Sequence, residues 1–134
     1  MSGPTLATRQ AVVSRDGGLC VACGRSVAIV HEDGTYDPVA MMSLHHRVLR
    51  GMGGRSVDHD PTNLVTLCGS GTTGCHGRAH SDRSWAEGRG YIVPSGPDSP
   101  DMIPVVVAVA PGQDCVMGLY GDTRYRVYPG GDAA

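Results

Sequence analysis

The sequence has no Phe, no Lys and a single Trp among its 134 residues. This shortage of aromatic side chains, together with 20 Gly and 9 Pro, argues against a helical bundle and favours loops and short strands. All 11 basic residues are Arg and the net charge is −2, so the chain as a whole is not a basic protein that coats nucleic acid. At 134 residues it fits one domain, whose modest core a bound metal would stabilise.

Signals for export and for membrane insertion are missing. Residues 1–8 lack the apolar core of a secretory signal peptide, and the apolar run 105–110 is far shorter than the roughly 20 residues that a membrane-spanning helix needs. We therefore expect a cytoplasmic protein with no membrane partner. Its cysteines would then be reduced, which favours metal binding over disulfide bonds.

The composition changes about two thirds of the way along the chain. Residues 94–104 are rich in Pro, Gly, Ser and Asp, which is typical of a linker, and an apolar strand follows. Gly121-Asp122 is a two-residue hairpin signal between two further strands. We predict a functional domain at residues 1–90 and a Pro/Gly-rich linker with a β-rich extension at residues 91–134.

Four cysteines have spacings that suit a zinc site. Cys20 and Cys23 form a C-x2-C pair followed by Gly, and two thiolates at this spacing can share one tetrahedral Zn²⁺. The partner pair would be Cys68 and Cys75, which are separated by Gly-Ser-Gly-Thr-Thr-Gly, an insert flexible enough to fold back. The alternative is four buried cysteines without a metal. Cys115 is distant from these pairs, and we interpret it as a free thiol of the core.

Five of the six histidines lie in the central third of the chain. His76 and His80 are four residues apart, so on a predicted helix over 75–87 both imidazoles would project from one face and could bind one cation. His45 and His46 precede a glycine-rich loop. Because adjacent residues of a strand point to opposite faces, one of this pair could bind the metal while the other does different work.

Three residues close to this pattern receive no chemical role. Gly77 lies inside the predicted helix and would weaken it by about 1 kcal/mol relative to Ala.

His31 stands beside a turn and His59 lies in a loop, and no motif includes either. We interpret both as ordinary surface histidines.

The order of these residues resembles the HNH endonuclease family. The His-His pair, the single Asn of the chain (Asn63) and the H-x3-H spacing are similar to those of colicin-type nucleases. The cysteine framework and the phrases N-L-V-T-L-C and C-H-G resemble small phage and bacterial HNH proteins of the McrA-like kind, although their second cysteine pair is more tightly spaced. The resemblance extends from Cys20 to about Trp85, roughly half of the chain.

The resemblance implies an α+β fold with a small ββα-metal (His-Me finger) core, made of a hairpin and a helix. A zinc site would stabilise this core, and a β-hairpin would be added at the C-terminus. Residues 1–90 would then be an HNH nuclease domain. The implied activity is metal-dependent hydrolysis of DNA phosphodiester bonds, by nicking or by double-strand cutting, which leaves 5′-phosphate and 3′-hydroxyl ends.

The resemblance also implies a role for each residue of the pattern. His46 would be the general base that activates water, since a histidine near its ordinary pKa can take a proton at neutral pH. His45 would bind the catalytic metal together with His76 and His80. Asn63 occupies the family's central Asn position, where its amide would bond the backbone across the hairpin loop and hold the histidine pair in register.

The implied cofactors are one structural Zn²⁺ and one catalytic divalent metal. In this chemistry the catalytic ion stabilises the pentacovalent phosphate and the leaving 3′-oxygen, so one ion and a histidine base suffice. Three neutral imidazoles suit Zn²⁺, Ni²⁺ or Mn²⁺ better than Mg²⁺, which prefers oxygen ligands. The sequence leaves the choice among these four ions open.

The implied nucleic-acid partner is DNA. Between His45 and Arg89 the arginines outnumber the acidic residues by two, which indicates a weak, local phosphate-binding face. The glycine-rich loop 50–55 lacks the Lys-Ser/Thr ending of a P-loop, and we expect it to approach the DNA backbone instead. The candidate phosphate contacts are Arg47, Arg50, Arg55 and Arg78.

Small free-standing HNH proteins of this kind resemble those encoded near phage packaging genes. A phage terminase is therefore the expected protein partner, in the host cytoplasm, while restriction of foreign DNA and homing are other roles of similar proteins. The competing class is a non-catalytic zinc module that binds DNA or protein, which would keep the cysteines but need not keep the histidines. An RNase or a toxin nuclease is a second alternative, but a toxin usually carries a basic domain and a delivery region, and neither is present in these 134 residues.

Overall fold

The structure is a computed structural model, and it describes residues 3–48, 59–94, 98–110 and 112–127. These residues form a mixed α+β fold with three α-helices and three small antiparallel sheets, which confirms the expected α+β class. The helices are α1 (Leu6–Arg15), α2 (Gly74–Ser81) and α3 (Arg83–Gly88), and short 3-10 helices lie at Pro61–Asn63 and Pro100–Met102. The strands are β1 (Ala28–Val30), β2 (Tyr36–Pro38), β3 (Met42–His46), β4 (Leu64–Cys68), β5 (Val105–Ala110), β6 (Gln113–Tyr120) and β7 (Thr123–Arg126). The hairpin predicted at Gly121-Asp122 joins β6 to β7.

Buried polar groups join helix α1 to the start of β4. The first turn of α1 is capped by Thr5, whose Oγ1 accepts a hydrogen bond from the Thr8 amide at 3.2 Å. At the other end of the helix, the Arg15 guanidinium donates to the carbonyl oxygens of Pro61 and Leu64, both at 2.7 Å. These bonds position β4, the strand that pairs with the histidine-bearing strand β3.

Strands β3 and β4 and helix α2 form one local unit, referred to below as the central unit. The two strands are antiparallel, with His45 opposite Val65, and every residue of β4 is buried. The chain then turns sharply into α2 at Gly69, which has φ 91° and where a Cβ would lie 2.1 Å from the Thr73 carbonyl oxygen. Only glycine tolerates this combination of backbone angle and close approach, and the turn brings α2 back against β4.

The predicted helix over 75–87 is divided into α2 and α3 at Asp82. This residue leaves the helical conformation with φ −125° and ψ 80°. Its carboxylate accepts a hydrogen bond from the Trp85 amide at 3.2 Å and so caps α3. The single predicted helix is wrong at this point because the side chain of Asp82 competes for the backbone donors of the next turn. Among the described residues, no helix combines the length and the apolar character that crossing a membrane requires.

Strands β5 and β6 belong to the same hydrophobic core as β4. The core includes residues from both sides of the predicted boundary at residue 90, among them Cys20, Val65, Leu67, Tyr91, Val105, Val107, Met117 and Leu119. Hydrogen bonds also cross this boundary, from the Val106 amide to the Arg89 carbonyl at 2.9 Å and from the Ala108 amide to the Val21 carbonyl at 2.8 Å. The predicted linker contains the 3-10 helix Pro100–Met102. We conclude that the extension contributes to the core that positions the central unit.

Replacing Gly77 with Ala tests the close packing of α2. Although helix propensity alone would make the change stabilising, a Cβ at Gly77 would lie 2.5 Å from the Thr72 carbonyl carbon. We expect Gly77→Ala to lower the free energy of unfolding by about 1–3 kcal/mol, measured by denaturant titration. Gly88→Ala is the matched control, because nothing lies within 4 Å of its Cβ position and it should be neutral or slightly stabilising. A stabilised Gly77→Ala protein would contradict this account.

Candidate metal centres

Four cysteine sulfurs from distant parts of the sequence form one cluster. The Sγ atoms of Cys20, Cys23, Cys68 and Cys75 all lie within 4.8 Å of one another and could hold a metal ion. The Sγ atoms of Cys23 and Cys68 are 3.9 Å apart, close to the roughly 3.8 Å expected of two thiolates on a tetrahedral Zn²⁺ with bonds of about 2.3 Å. The predicted ligand set is therefore brought together by the fold.

The surroundings of these sulfurs fit a cation. Burial raises the pKa of the Cys20 thiol to about 11 and also raises the pKa of Cys75. In the absence of a cation both thiols are protonated at neutral pH, so a metal that binds their thiolates must release protons. Burial opposes the charged form of Cys68 as well, but hydrogen bonds, among them one from the Cys75 amide at 3.4 Å, lower the pKa of Cys68 and favour negative charge on its sulfur. Cys115 lies outside this cluster as a half-buried free thiol packed against the core.

Three histidines form a second cluster. His45 comes from β3, and His76 and His80 come from successive turns of α2; one ring nitrogen of each lies within 4.8 Å of the others. The Nε2 atoms of His76 and His80 are 3.1 Å apart. Two imidazoles on a tetrahedral ion at about 2.0–2.1 Å would place their nitrogens roughly 3.3 Å apart. The spacing of this pair thus suits a shared metal as well as a direct hydrogen bond.

His45 is held with one ring nitrogen available. It is 1% exposed, and its Nε2 donates a hydrogen bond to the Tyr91 carbonyl oxygen at 2.7 Å. Its Nδ1 is buried and has no hydrogen-bond partner among the described residues. Burial lowers the pKa of His45 to about 3, so the ring is neutral and the Nδ1 lone pair is free for a metal. A carbonyl that fixes the opposite nitrogen is the usual support of a metal-binding imidazole.

Asn63 joins the two ends of the loop between β3 and β4. It is completely buried, and its Oδ1 accepts a hydrogen bond from the Val48 amide at 2.8 Å. Its own carbonyl oxygen accepts from the Arg47 amide at 2.8 Å. The first bond links the Asn63 side chain to the backbone across the hairpin loop, and the second continues the pairing of β3 and β4 by one residue, from His46 and Leu64 to Arg47 and Asn63.

His46 lies beside His59, which no sequence motif includes. His46 is half-buried, and its Nε2 is 3.4 Å from Nδ1 of His59, with ring centroids 5.5 Å apart. The sequence shows only that His59 immediately precedes the Asp60-Pro61 turn. No spacing rule connects it to His46, because the loop between them determines whether the two rings meet.

Arg47 is buried, which makes the prediction that it contacts DNA wrong. The side chain is 0% exposed, and its guanidinium donates to four carbonyl oxygens. The acceptors are those of Gly90 at 2.7 Å, Thr62 at 2.7 Å, Pro100 at 2.9 Å and Ile103 at 2.5 Å. Burial lowers the pKa of Arg47 to about 9, and the group is still charged at neutral pH. Its charge is thus used inside the protein and is closed to a phosphate.

Of the other candidate phosphate contacts, only Arg78 lies within the described residues. Arg78 is exposed on α2, where its guanidinium stacks on the Trp85 ring at 4.1 Å and pairs with Asp82 at 3.6 Å. It is therefore accessible on the helix that carries His76 and His80. Arg50 and Arg55, with the rest of the glycine-rich loop, lie outside the described residues.

Comparisons of the chain with protein-family models, with curated proteins and with solved structures found no match. The functional interpretation therefore depends on the chemistry of the two clusters. Imidazole and thiolate sets are separate here, as expected of sites with different tasks: four sulfurs favour a structural zinc, whereas three nitrogens leave room for a further ligand.

Replacing one cluster cysteine tests the proposed zinc ligands. We expect the protein to retain about one Zn²⁺ per chain after dialysis against a mild chelator, because a tetrahedral four-sulfur site is closed. Cys68→Ser should lose that zinc and unfold at a lower temperature, as measured by elemental analysis and thermal melting. Cys115→Ser is the control and should keep the zinc, since its thiol is not in the cluster. Zinc retained by Cys68→Ser would refute the assignment.

Replacing Arg47 tests its internal role against the DNA-contact hypothesis. Arg47→Met would leave several buried carbonyl groups without a donor, and we expect a loss of about 3 kcal/mol in the free energy of unfolding. Arg78→Met, on the exposed face of α2, should cost less than about 1 kcal/mol. The free energies of unfolding of the two variants are compared by denaturant titration. Equal losses would contradict the buried role of Arg47 and would favour a surface position for its side chain.

Proposed function

We propose that this protein is a metal-dependent endonuclease of the HNH type that hydrolyses phosphodiester bonds in DNA. In this proposal β3, β4 and α2 are the ββα-metal core, and the cysteine cluster holds a structural zinc. The observation that carries the proposal is the cluster of His45, His76 and His80 beside a further imidazole, that of the adjacent His46.

The three-imidazole cluster supports the metal-binding part of the proposal. His45, His76 and His80 would hold one divalent ion, which when bound supplies positive charge to the reacting phosphate and the leaving 3′-oxygen. Burial lowers the pKa of His76 to about 4, and nearby His80 and His46 lower it further. His45 and His76 are therefore neutral at physiological pH, and a set of imidazole nitrogens suits Zn²⁺, Ni²⁺ or Mn²⁺ better than Mg²⁺.

His46 is suited to the role of general base. It is half-buried rather than enclosed, and it is close enough to the cluster to influence the pKa of His76. In the proposed reaction His46 takes a proton from water while the water oxygen forms a bond to phosphorus. The bond from phosphorus to the 3′-oxygen breaks, and that oxygen takes up a proton from solvent. The products are a 5′-phosphate and a 3′-hydroxyl, and His46 returns its proton to solvent.

The cysteine cluster supports the proposal by joining the end of β4 to the start of α2. Cys68 ends β4, Cys75 lies in the first turn of α2, and His76 is the next residue. A zinc on these sulfurs would hold the β4–α2 turn together, and with it the angle at which α2 presents His76 and His80. A structural ion is thus proposed to set the geometry of the catalytic one.

Plasmid nicking tests the activity. Protein freed of loosely bound metal, but with its cysteine-bound zinc, would be given supercoiled DNA and Mg²⁺, Mn²⁺, Ni²⁺ or Zn²⁺. We expect relaxed circles with at least one ion, and a loss of roughly 100-fold or more in rate for His46→Ala because it removes the base. His80→Ala should lose both cleavage and binding of the second metal. His31→Ala is the control, since His31 is exposed and paired with Asp37 at 2.8 Å.

Three other outcomes of the cleavage assay would change the proposal. If a protein that retains its zinc cleaves no DNA with any of the four ions, a non-catalytic binding module is favoured. Cleavage that appears only when a phage terminase is added would place the activity in a packaging complex. A parallel reaction with RNA of the same sequence separates a DNA endonuclease from an RNase.

A further inference from the structure

We propose that His59 is a positioning residue, which orients the imidazole of His46 through a hydrogen bond between the two rings. The inference rests on the proposed function, because it assigns His46 the role of base. Its starting point is the approach of His46 Nε2 to within 3.4 Å of His59 Nδ1, with the ring planes inclined by 57°. This distance is longer than a well-formed bond, and such contacts commonly shorten when substrate binds.

The pair of atoms determines which tautomer His46 must have. If His46 Nε2 carries the proton, it donates to the lone pair on His59 Nδ1, and His46 Nδ1 is then the unprotonated nitrogen, the one able to take a proton from water. In the opposite arrangement His59 would donate to His46 Nε2, and both nitrogens of His46 would be occupied. A base can act only in the first arrangement. His59 would thus select the reactive tautomer of His46 as well as its orientation.

The backbone on both sides of this contact is well anchored. His46 lies in β3, opposite Leu64. His59 immediately precedes Asp60, whose Oδ1 caps the next turn by accepting hydrogen bonds from the Thr62 amide at 2.9 Å and hydroxyl at 2.6 Å. The Asn63 backbone amide also donates a hydrogen bond to the Asp60 carbonyl oxygen, at 2.8 Å. His46 is therefore held by the pairing of β3 with β4, and His59 directly precedes a turn that these hydrogen bonds fix.

A second metal site is the main alternative explanation for two adjacent imidazoles. Within the part of the chain that the structure describes, the ligand sets of three or more residues are the four cysteines and the trio of His45, His76 and His80. No third Cys, His or carboxylate in the described residues joins His46 and His59 to make such a set. A hydrogen-bonded pair accounts for the contact without a further ion.

Two substitutions of His59 separate orientation from simple packing. His59→Leu removes the acceptor, and we expect kcat for nicking to fall by roughly 10- to 100-fold with little change in KM, in metal content or in melting temperature. His59→Asn places an amide oxygen about where Nδ1 was, so it should restore most of the rate. Equal losses in the two variants, or no loss in His59→Leu, would overturn the proposal.

A measurement on the ring nitrogens is independent of catalysis. In ¹⁵N-labelled, zinc-loaded protein, long-range NMR correlations should show His46 protonated at Nε2 in the wild type and in His59→Asn, and shifted from that state in His59→Leu. His46→Ala assigns the signals. A wild-type His46 protonated at Nδ1, or identical ring shifts in all three proteins, would refute the pairing. If the wild-type protein shows this pairing but cuts no DNA, the proposed function fails and the His46–His59 contact stands.

Discussion

The buried guanidinium of Arg47 is the interaction on which the arrangement of the central unit depends. Arg47 follows the histidine pair directly. Its guanidinium bonds the end of β3 to the turn before β4, to Gly90 two residues after α3, and to the C-terminal 3-10 helix with the residue that follows it. A buried charge is costly unless polar groups compensate it, and here four carbonyl acceptors do so. The need to satisfy this one group therefore constrains four segments together.

The segment after α3 connects this charge to the metal-binding histidines. The Gly90 carbonyl accepts from Arg47, and the Tyr91 carbonyl accepts from His45 at 2.7 Å. The Val93 amide in turn donates to the Arg47 carbonyl at 2.9 Å. The backbone of residues 90–93 thus runs alongside β3 and supports both side chains. This is why the C-terminal extension matters for the site, although its strands carry none of the cluster ligands.

The two ligand clusters meet at the turn between β4 and α2. Cys68 and Cys75 flank that turn, and His76 follows without an intervening residue. Gly69 and Gly77 allow the backbone to pass close to itself here, since a Cβ at either position would overlap main-chain atoms. In the proposed enzyme, one ion would therefore stabilise the framework and the other would act in the chemistry, each dependent on the same short stretch of chain.

Local spacing determined what the sequence could show by itself. The C-x2-C pair, the i, i+4 histidines and the Gly121-Asp122 hairpin each depend on geometry within a few residues, and short-range backbone geometry is nearly the same in every fold. Composition indicated loops and short strands rather than a helical bundle, and the resemblance to the HNH family implied the α+β class. The nuclease interpretation stays a proposal, because it extends beyond geometry to a reaction.

Contacts between distant segments decided the rest. Whether Arg47 would face solvent or the interior depended on carbonyl groups as far away as Pro100 and Ile103. The approach of His59 to His46 depended on the path of the loop between them, and the need for glycine at position 77 depended on how closely the preceding turn passes. Sequence spacing carries no information on such distances, since they are set by how the elements pack against one another.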